Sequence, residues 1–556
     1  MKKACEIISL AAFLLIACKQ SVDPKPPPPA SIPSTPTDVR IEVVGSDSVL
    51  RWTESSGALT YSVHFSVDDS GYVPTVEGIS SLQYILPIYG YYKVAATNSA
   101  GTSPLSVSVH HLASLPDVVE TPSFNIEPGA YDEAQDVAIT TSTPDSTIYY
   151  TLDGTTPSIG ASPQYIDPIP LSIGQTATIT AIAAKDGYSN SNAVSGLFHI
   201  KGWTVVGTAG FSAAAVFDVS LTIDASGAPC VAYMDGSTAP AYKATVRRFN
   251  GSSWPALGGT GVSSDIATGT SIAASSDGSI YLTYADYSSS LNGKATSMTY
   301  SGGSWSSLGD LGFSAGTFLY SSLAVHSSGS VYTPYVAYKD GGNGDKATVK
   351  SFDGSTWITV GTDGFSDGQA LGTSIAVADD GTPYIAYKDG SKSNKATVKT
   401  FSDAAWSTVP LAGEGLSADA VDYLALSVAP SVSSNILYIA YKDTYYGGKA
   451  MVKKYDSGAW DTLPPAGEGL SSGVANYVSL AIAPDGVPFI AYSDGASGGK
   501  ATVKKYDSGS WRAIGGDGFT IGAAEYISLR IDATGTPYLA FKDMASGGMA
   551  TVMSFK

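Results

Sequence analysis

Cysteine, histidine and charge are all scarce in this chain. Three cysteines, Cys5, Cys18 and Cys230, are spread over 556 residues. The five histidines are His64, His110, His111, His199 and His326, and only His326 lies beyond residue 200. They assemble into neither a metal-ligand cluster nor a Ser-His-Asp pattern. Charged residues reach only 14%, and the balance is acidic, with net charge −18 and pI about 4.6. There is no basic block, which argues against binding nucleic acid or anionic headgroups through charge. Against these absences stand 43% hydrophobic residues, Gly 60, and Tyr 34 against Phe 16. With abundant Ser, Thr and Val, that composition reads as all-β. The length suits three or four domains.

The N-terminus reads as an address. Lys2 and Lys3 precede a short apolar stretch from Ile7 to Ala17, too short for a permanent membrane span. It ends in Leu15-Ile16-Ala17-Cys18, which resembles a bacterial lipobox, although Glu6 is a mild departure. The resemblance implies removal of residues 1–17, palmitate-type acylation of Cys18, and membrane attachment through that lipid anchor. Lys19 after the cysteine implies export to the outer membrane, with cell-surface or periplasmic exposure left open. Cys230 is then the one remaining thiol. It sits in a Pro-x-Val-Ala-Tyr strand and reads as buried and structural. Residues 18–36 carry seven prolines, a tether that spans roughly 50 Å at ~3.1 Å per residue.

Two β-sandwiches are expected next. Residues 37–112 contain Trp52, the strand Tyr61-Ser62-Val63-His64-Phe65 and the ending Tyr92-Lys93-Val94-Ala95-Ala96-Thr97-Asn98. This segment resembles a fibronectin type III domain, which implies that Trp52 packs between two sheets. Residues 119–200 contain Tyr149-Tyr150-Thr151-Leu152-Asp153-Gly154-Thr155-Thr156-Pro157. They resemble the C-terminal accessory domain of chitobiase and related β-hexosaminidases, which implies a sandwich without activity. Asp153-Gly154 reads as a turn.

Residues 201–556 repeat. The glycine of a Gly-(Phe/Leu/Val)-(Ser/Thr) motif recurs at positions 210, 261, 312, 364, 415, 469 and 518. Tryptophan recurs at 203, 254, 305, 357, 406, 460 and 511. Each unit holds four short β-rich pieces, the pattern of a propeller blade. The last unit lacks its Trp strand, and that strand stands at the front as Gly202-Trp203-Thr204-Val205-Val206-Gly207. The expected fold is two sandwiches followed by a seven-bladed β-propeller, its N-terminal strand closing the last blade.

Two sets of repeat positions are candidates for chemistry. Asp235, Asp286, Asp340, Asp389, Asp443, Asp494 and Asp543 end the second piece of every unit. Their uniformity reads as structural, each capping its own turn and pairing with the Lys that opens the third piece; a cation-binding carboxylate ring is the alternative. Two residues before the Ser-Leu strand the column varies: Asp218, Gly269, Tyr320, Gly372, Tyr423, Tyr477 and Tyr526. Phe217, Asp265, Asp422 and Glu525 are its neighbours, and Tyr445 and Tyr446 lie in a nearby loop. Aromatics with scattered carboxylates suit a platform for sugar rings or a peptide; filling space between blades is the alternative.

Asp353-Gly354-Ser355-Thr356-Trp357 is similar to a sialidase Asp-box, but one residue short. No catalytic residue, cofactor or metal is called for. The leading expectation is a non-catalytic, lipid-anchored binding or adhesion protein for a glycan or an extracellular or envelope protein. A carbohydrate-active enzyme and a periplasmic assembly scaffold are the alternatives.

Overall fold

The computed structural model describes residues 30–45, 47–112, 117–238, 241–410, 415–430, 435–463 and 468–556. The signal segment, Cys18 and most of the tether lie outside the described residues. Among the described residues no helix is long and apolar enough to cross a membrane. Chain contacts divide the molecule into two compact units. One takes the described part of Met1–Glu120 with Ala184–Ser191, and the other takes Thr121–Ala183 with Asn192–Lys556.

In the first unit a three-stranded sheet (Arg40–Val44, Asp47–Arg51, Gln83–Ile85) faces a five-stranded one built around Thr60–Ser66 and Gly90–Asn98. Trp52 is buried between them, 5.5 Å from the ring of Tyr61.

The second unit begins with the sheet Gly129–Tyr131, Val194–Ile200, Thr176–Ala184 and Thr147–Thr151. Asp153 accepts the backbone N–H of Thr155 at 3.0 Å and Gly154 takes φ +83°, the turn expected of that pair. This sandwich joins the propeller through Asp132, whose carboxylate holds Lys201 at 3.1 Å and also Lys505.

Seven sheets follow, and each first strand neighbours the first strands of the sheets on either side, the seventh meeting the first. The blades are therefore seven and the ring is closed. Blade 1 has Val216–Ile223, Pro229–Asp235 and Ala244–Arg248; blade 4, a full one, has Ala370–Val377, Pro383–Asp389, Lys395–Ser402 and Ala405–Thr408. In blade 7, Trp203–Val205 pairs antiparallel with the last strand, Trp203 opposite Phe555.

The recurring residues hold blade to blade. Trp254 Nε1 donates to the Val206 carbonyl at 2.8 Å, Trp406 to Val360 at 2.8 Å and Trp203 to Ile514 at 2.9 Å. The motif phenylalanines stack on these indoles, Phe211 on Trp254 at 4.3 Å and Phe519 on Trp203 at 4.4 Å. Each motif Ser or Thr accepts the N–H of an alanine among the first, turn-side residues of the preceding blade's third strand, as Ser263 does from Ala244 and Thr520 from Ala501, both at 3.0 Å. One such bond contributes only about 1 kcal/mol, but the set recurs around the ring.

Cys230 is fully buried, and burial pushes its thiol up to about 12, as an inert core sulfhydryl requires.

Candidate functional site

The aspartate ring is scaffold by its contacts. All seven are buried, and each carboxylate accepts the N–H two residues on; Asp389 takes Ser391 at 3.0 Å and Asp494 takes Ala496 at 3.0 Å. Asp389 also accepts the hydroxyl of Thr397 at 3.1 Å, and Asp543 that of Thr551 at 2.9 Å. The expected Lys partners stand directly opposite in register, Asp389 against Lys395, yet among the described residues none forms an ion pair with its aspartate. A backbone donor holds one oxygen of each carboxylate, while the second oxygen of Asp235 and of Asp494 is buried without a partner among the described residues. The lysine stems lie instead on the motif glycines, Lys243 on Gly261 and Lys449 on Gly469, where a Cβ would collide.

The variable column has a different geometry. In each blade the pairing of first and second strands slips just here, between Phe217 and Ser220 in blade 1 and between Leu319 and Ser322 in blade 3. The slip is a β-bulge, and its residue sits in the left-handed region: Asp218 at φ 50°, Gly269 at 63°, Tyr320 at 51°, Gly372 at 59°, Tyr423 at 49°, Tyr477 at 52° and Tyr526 at 50°. Glycine fits that conformation, and two blades use it. A tyrosine there costs roughly 1–2 kcal/mol. Four blades nevertheless carry one.

The rings that result form an arc. Tyr423 and Tyr477 lie 5.1 Å apart, Tyr477 and Tyr526 5.2 Å, and Tyr526 meets Phe217 at 6.2 Å. Phe217 continues to Tyr242 at 6.5 Å. Burial, then the nearby Glu525, pushes the Tyr477 phenol up to about 12, so it stays neutral and able to donate. Lysines that precede the ring aspartates thread this surface. Lys442 lies 5.6 Å from the Tyr423 ring centre and donates to Asn476 at 3.0 Å. Lys542 lies 4.6 Å from Phe217 and pairs with Glu525 at 3.0 Å. Tyr242 and these lysines were not singled out from the sequence. Their signal is the Lys in the consensus Tyr-Lys-Asp, whose neighbours only the closed ring reveals.

The glycine positions interrupt the arc. At Gly372 a cleft of about 530 Å³ opens between Tyr320 and Tyr423, edged by Lys388 and Asp422, which pair at 2.9 Å. Tyr320 stands alone there and is 53% exposed. Asp218 is buried enough to raise its carboxyl above the ordinary value, while its Oδ2 accepts the Gly269 N–H at 2.8 Å. Tyr445 and Tyr446 stack edge-on with each other at 5.0 Å; Tyr445 is exposed and Tyr446 packs on the core beneath. Asp353 caps its own turn by accepting from Ser355 and Thr356, each at 2.8 Å, so the Asp-box-like loop is a turn. Among the described residues no group of three or more His, Cys, Asp or Glu could hold a metal ion.

Comparison with known proteins adds one family assignment. Residues 126–195 match the chitobiase/β-hexosaminidase C-terminal domain. No curated protein matches the chain. Among solved structures, a fucose-specific lectin from Aleuria aurantia is 15% identical, covering 55% of this chain and 96% of its own, with TM-score 0.38. A Penicillium chrysogenum α-L-arabinanase is 10% identical, covering 64% and 97%, with TM-score 0.34. A structure titled FN3tt mut is 23% identical, covering 14% and 94%, with TM-score 0.13. Likenesses this distant carry no functional argument.

Proposed function

We propose that this protein binds a glycan, without transforming it, through the aromatic arc and the Gly372 cleft. The observation that carries the reading is the four tyrosines held at left-handed bulges where glycine would be easier. Strain of this kind gathers at functional sites. Flat rings pack on the apolar faces of sugars, and the interleaved Lys, Asp, Glu and Asn side chains suit their hydroxyls.

The test is a glycan array probed with the mature chain and with a variant carrying Tyr→Gly at 320, 423, 477 and 526. Glycine relaxes the backbone, so the variant should fold. Loss of at least tenfold in affinity is expected, and unchanged binding would show that the face is wrongly assigned.

One observation favours a second reading. The raised carboxyl of Asp218, beside Phe217 and Tyr526, has the character of a general acid in glycoside hydrolysis. Turnover of an array hit that disappears in Asp218→Asn would establish a hydrolase instead.

The chain is further read as an exported lipoprotein anchored through Cys18, with residues 37–112 as a fibronectin type III-like spacer. Cys18→Ser should move the protein out of the membrane fraction. Protease on intact cells should release the ring by cutting the tether; release only after the envelope is breached would mean periplasmic exposure.

A further inference from the structure

The first strands of the seven blades enclose an axial cavity of about 410 Å³. Four residues beyond the bulge residue, one column of side chains borders it. That position is Ala in four blades, Thr222 and Ser427 in two, and Arg530 in blade 7. The repeat thus calls for a small residue, and one blade inserts the longest cation. Arg530 is the one charged side chain among the described lining of the cavity.

Its contacts leave that charge unanswered. Nη1 donates to the Leu529 carbonyl at 2.8 Å, and among the described residues Arg530 has no ion pair. By contrast Arg248 pairs with Asp224, and Arg247 donates to the Tyr233 hydroxyl at 2.8 Å. Among the described residues Arg512 also has no ion pair but is exposed, and Arg247 is held by a hydroxyl and a carbonyl, so Arg530 is the half-buried arginine that has a single backbone carbonyl as its partner. Burial pushes its pKa down from the ordinary value, but a guanidinium remains charged at any working pH. A half-buried charge without a counter-ion bears part of the desolvation cost, and a bound anion offsets it.

The rest of the lining indicates what kind of anion fits. Ser271, Ser322, Ser374 and Ser479 border the cavity, and each hydroxyl oxygen accepts an N–H from another blade at 3.0–3.1 Å. A hydroxyl that accepts still has its own proton to donate. One guanidinium fork matches one carboxylate in a bidentate pair and neutralises a single negative charge. The volume lies within the range of small-ligand sites.

We propose that the axial channel is a binding site for a sugar acid, its carboxylate held by Arg530 and its hydroxyls by the serine ring. This site stands apart from the aromatic arc. Tyr526 and Arg530 are four residues apart on one strand, ~13 Å at ~3.3 Å per residue. It therefore does not depend on the reading of the arc.

The experiment is calorimetric titration of the mature chain with sodium D-glucuronate, with D-glucose as the uncharged control. The expected result is saturable glucuronate binding that weakens with added salt, with no binding of glucose. Arg530→Ala and Arg530→Met should each reduce affinity at least tenfold, while Arg512→Ala, which removes an exposed arginine from an outer strand, leaves it unchanged. Without ligand both Arg530 variants should melt no lower than the parent. Undiminished binding in the Arg530 variants, equal binding of glucose, or no saturable binding would overturn the proposal. So would a marked loss of ligand-free stability in both variants, which would make Arg530 a structural plug.

Discussion

Two rings of residues circle the same face of the propeller, and they differ in what they tolerate. The aspartates that end the second strands are identical in all seven blades, buried, and bonded to their own turns. Two residues along from their strand partners, the bulge column holds Asp, Gly or Tyr and is partly open to solvent. The backbone around both rings repeats sevenfold. Uniformity therefore marks the groups the backbone needs, and variation marks positions the backbone leaves free. That the free positions hold four strained tyrosines is what turns a packing detail into a functional reading.

The comparison requires a closed ring, so opening the ring should have the largest effect. Deleting residues 202–207 removes the strand that pairs with Met549–Phe555, together with the Trp203 stack on Phe519. The cost should be at least the roughly 3–5 kcal/mol of losing a packed tryptophan, and it exposes a bare strand edge. Denaturant melts and light scattering should show loss of cooperative unfolding and aggregation. An intact, monomeric ring would contradict closure by this strand.

Breaking one aspartate comes next. Asp389→Ala leaves the Ser391 N–H and the Thr397 hydroxyl without their acceptor and should cost about 1–3 kcal/mol. Binding by the folded fraction should be unchanged, since Asp389 is buried and spent on its own turn. A variant equally stable but unable to bind would reverse the assignment of the two rings.

Asp218 is the point where the two rings share a residue type, and its pH behaviour separates them. Burial raises its carboxyl in the folded state, so ionising it costs more there than in the unfolded chain. Its contribution to stability is then fully present below the ordinary carboxylate pKa and is lost as pH rises through the folded value. Asp218→Asn keeps an acceptor for Gly269 and tolerates the left-handed backbone. It should melt above the parent near neutral pH, with the difference vanishing in acid. A variant less stable at neutral pH would mean that the carboxylate is needed as an anion.

The scaffold was legible in the sequence because each recurring residue fills one role in every blade. Tryptophans at near-constant spacing clasp neighbouring blades, and the displaced Trp strand predicts its own pairing partner. The site was legible only as a column of residue types. The bulge that gives the column its geometry is written into the sequence by two glycines alone, Gly269 and Gly372. Whether four tyrosines share their backbone is a matter of strand register. The Asp–Lys pairing failed as an expectation because register opposition does not make an ion pair when backbone N–H groups already hold the carboxylate. Tyr242 and Arg530 carry no site signal in the sequence, because an isolated residue in a loop or strand acquires meaning only from what the closed ring places beside it.

The smallest effect is also the most diagnostic. Tyr320 is the one bulge tyrosine whose ring stacks on no other, and it stands at the edge of the Gly372 cleft. Replacing it by glycine removes little packing and releases a φ of 51° that glycine adopts freely. The added freedom of the unfolded chain offsets part of that gain, so Tyr320→Gly should be neutral to about 1 kcal/mol more stable. If Tyr320 were filler between blades, the variant would lose stability and keep its ligand. If it is held there for contact, the variant melts no lower and binds the same glycan more weakly. Opposite movement of Tm and affinity in one substitution is the signature of a residue kept against the preference of its own backbone.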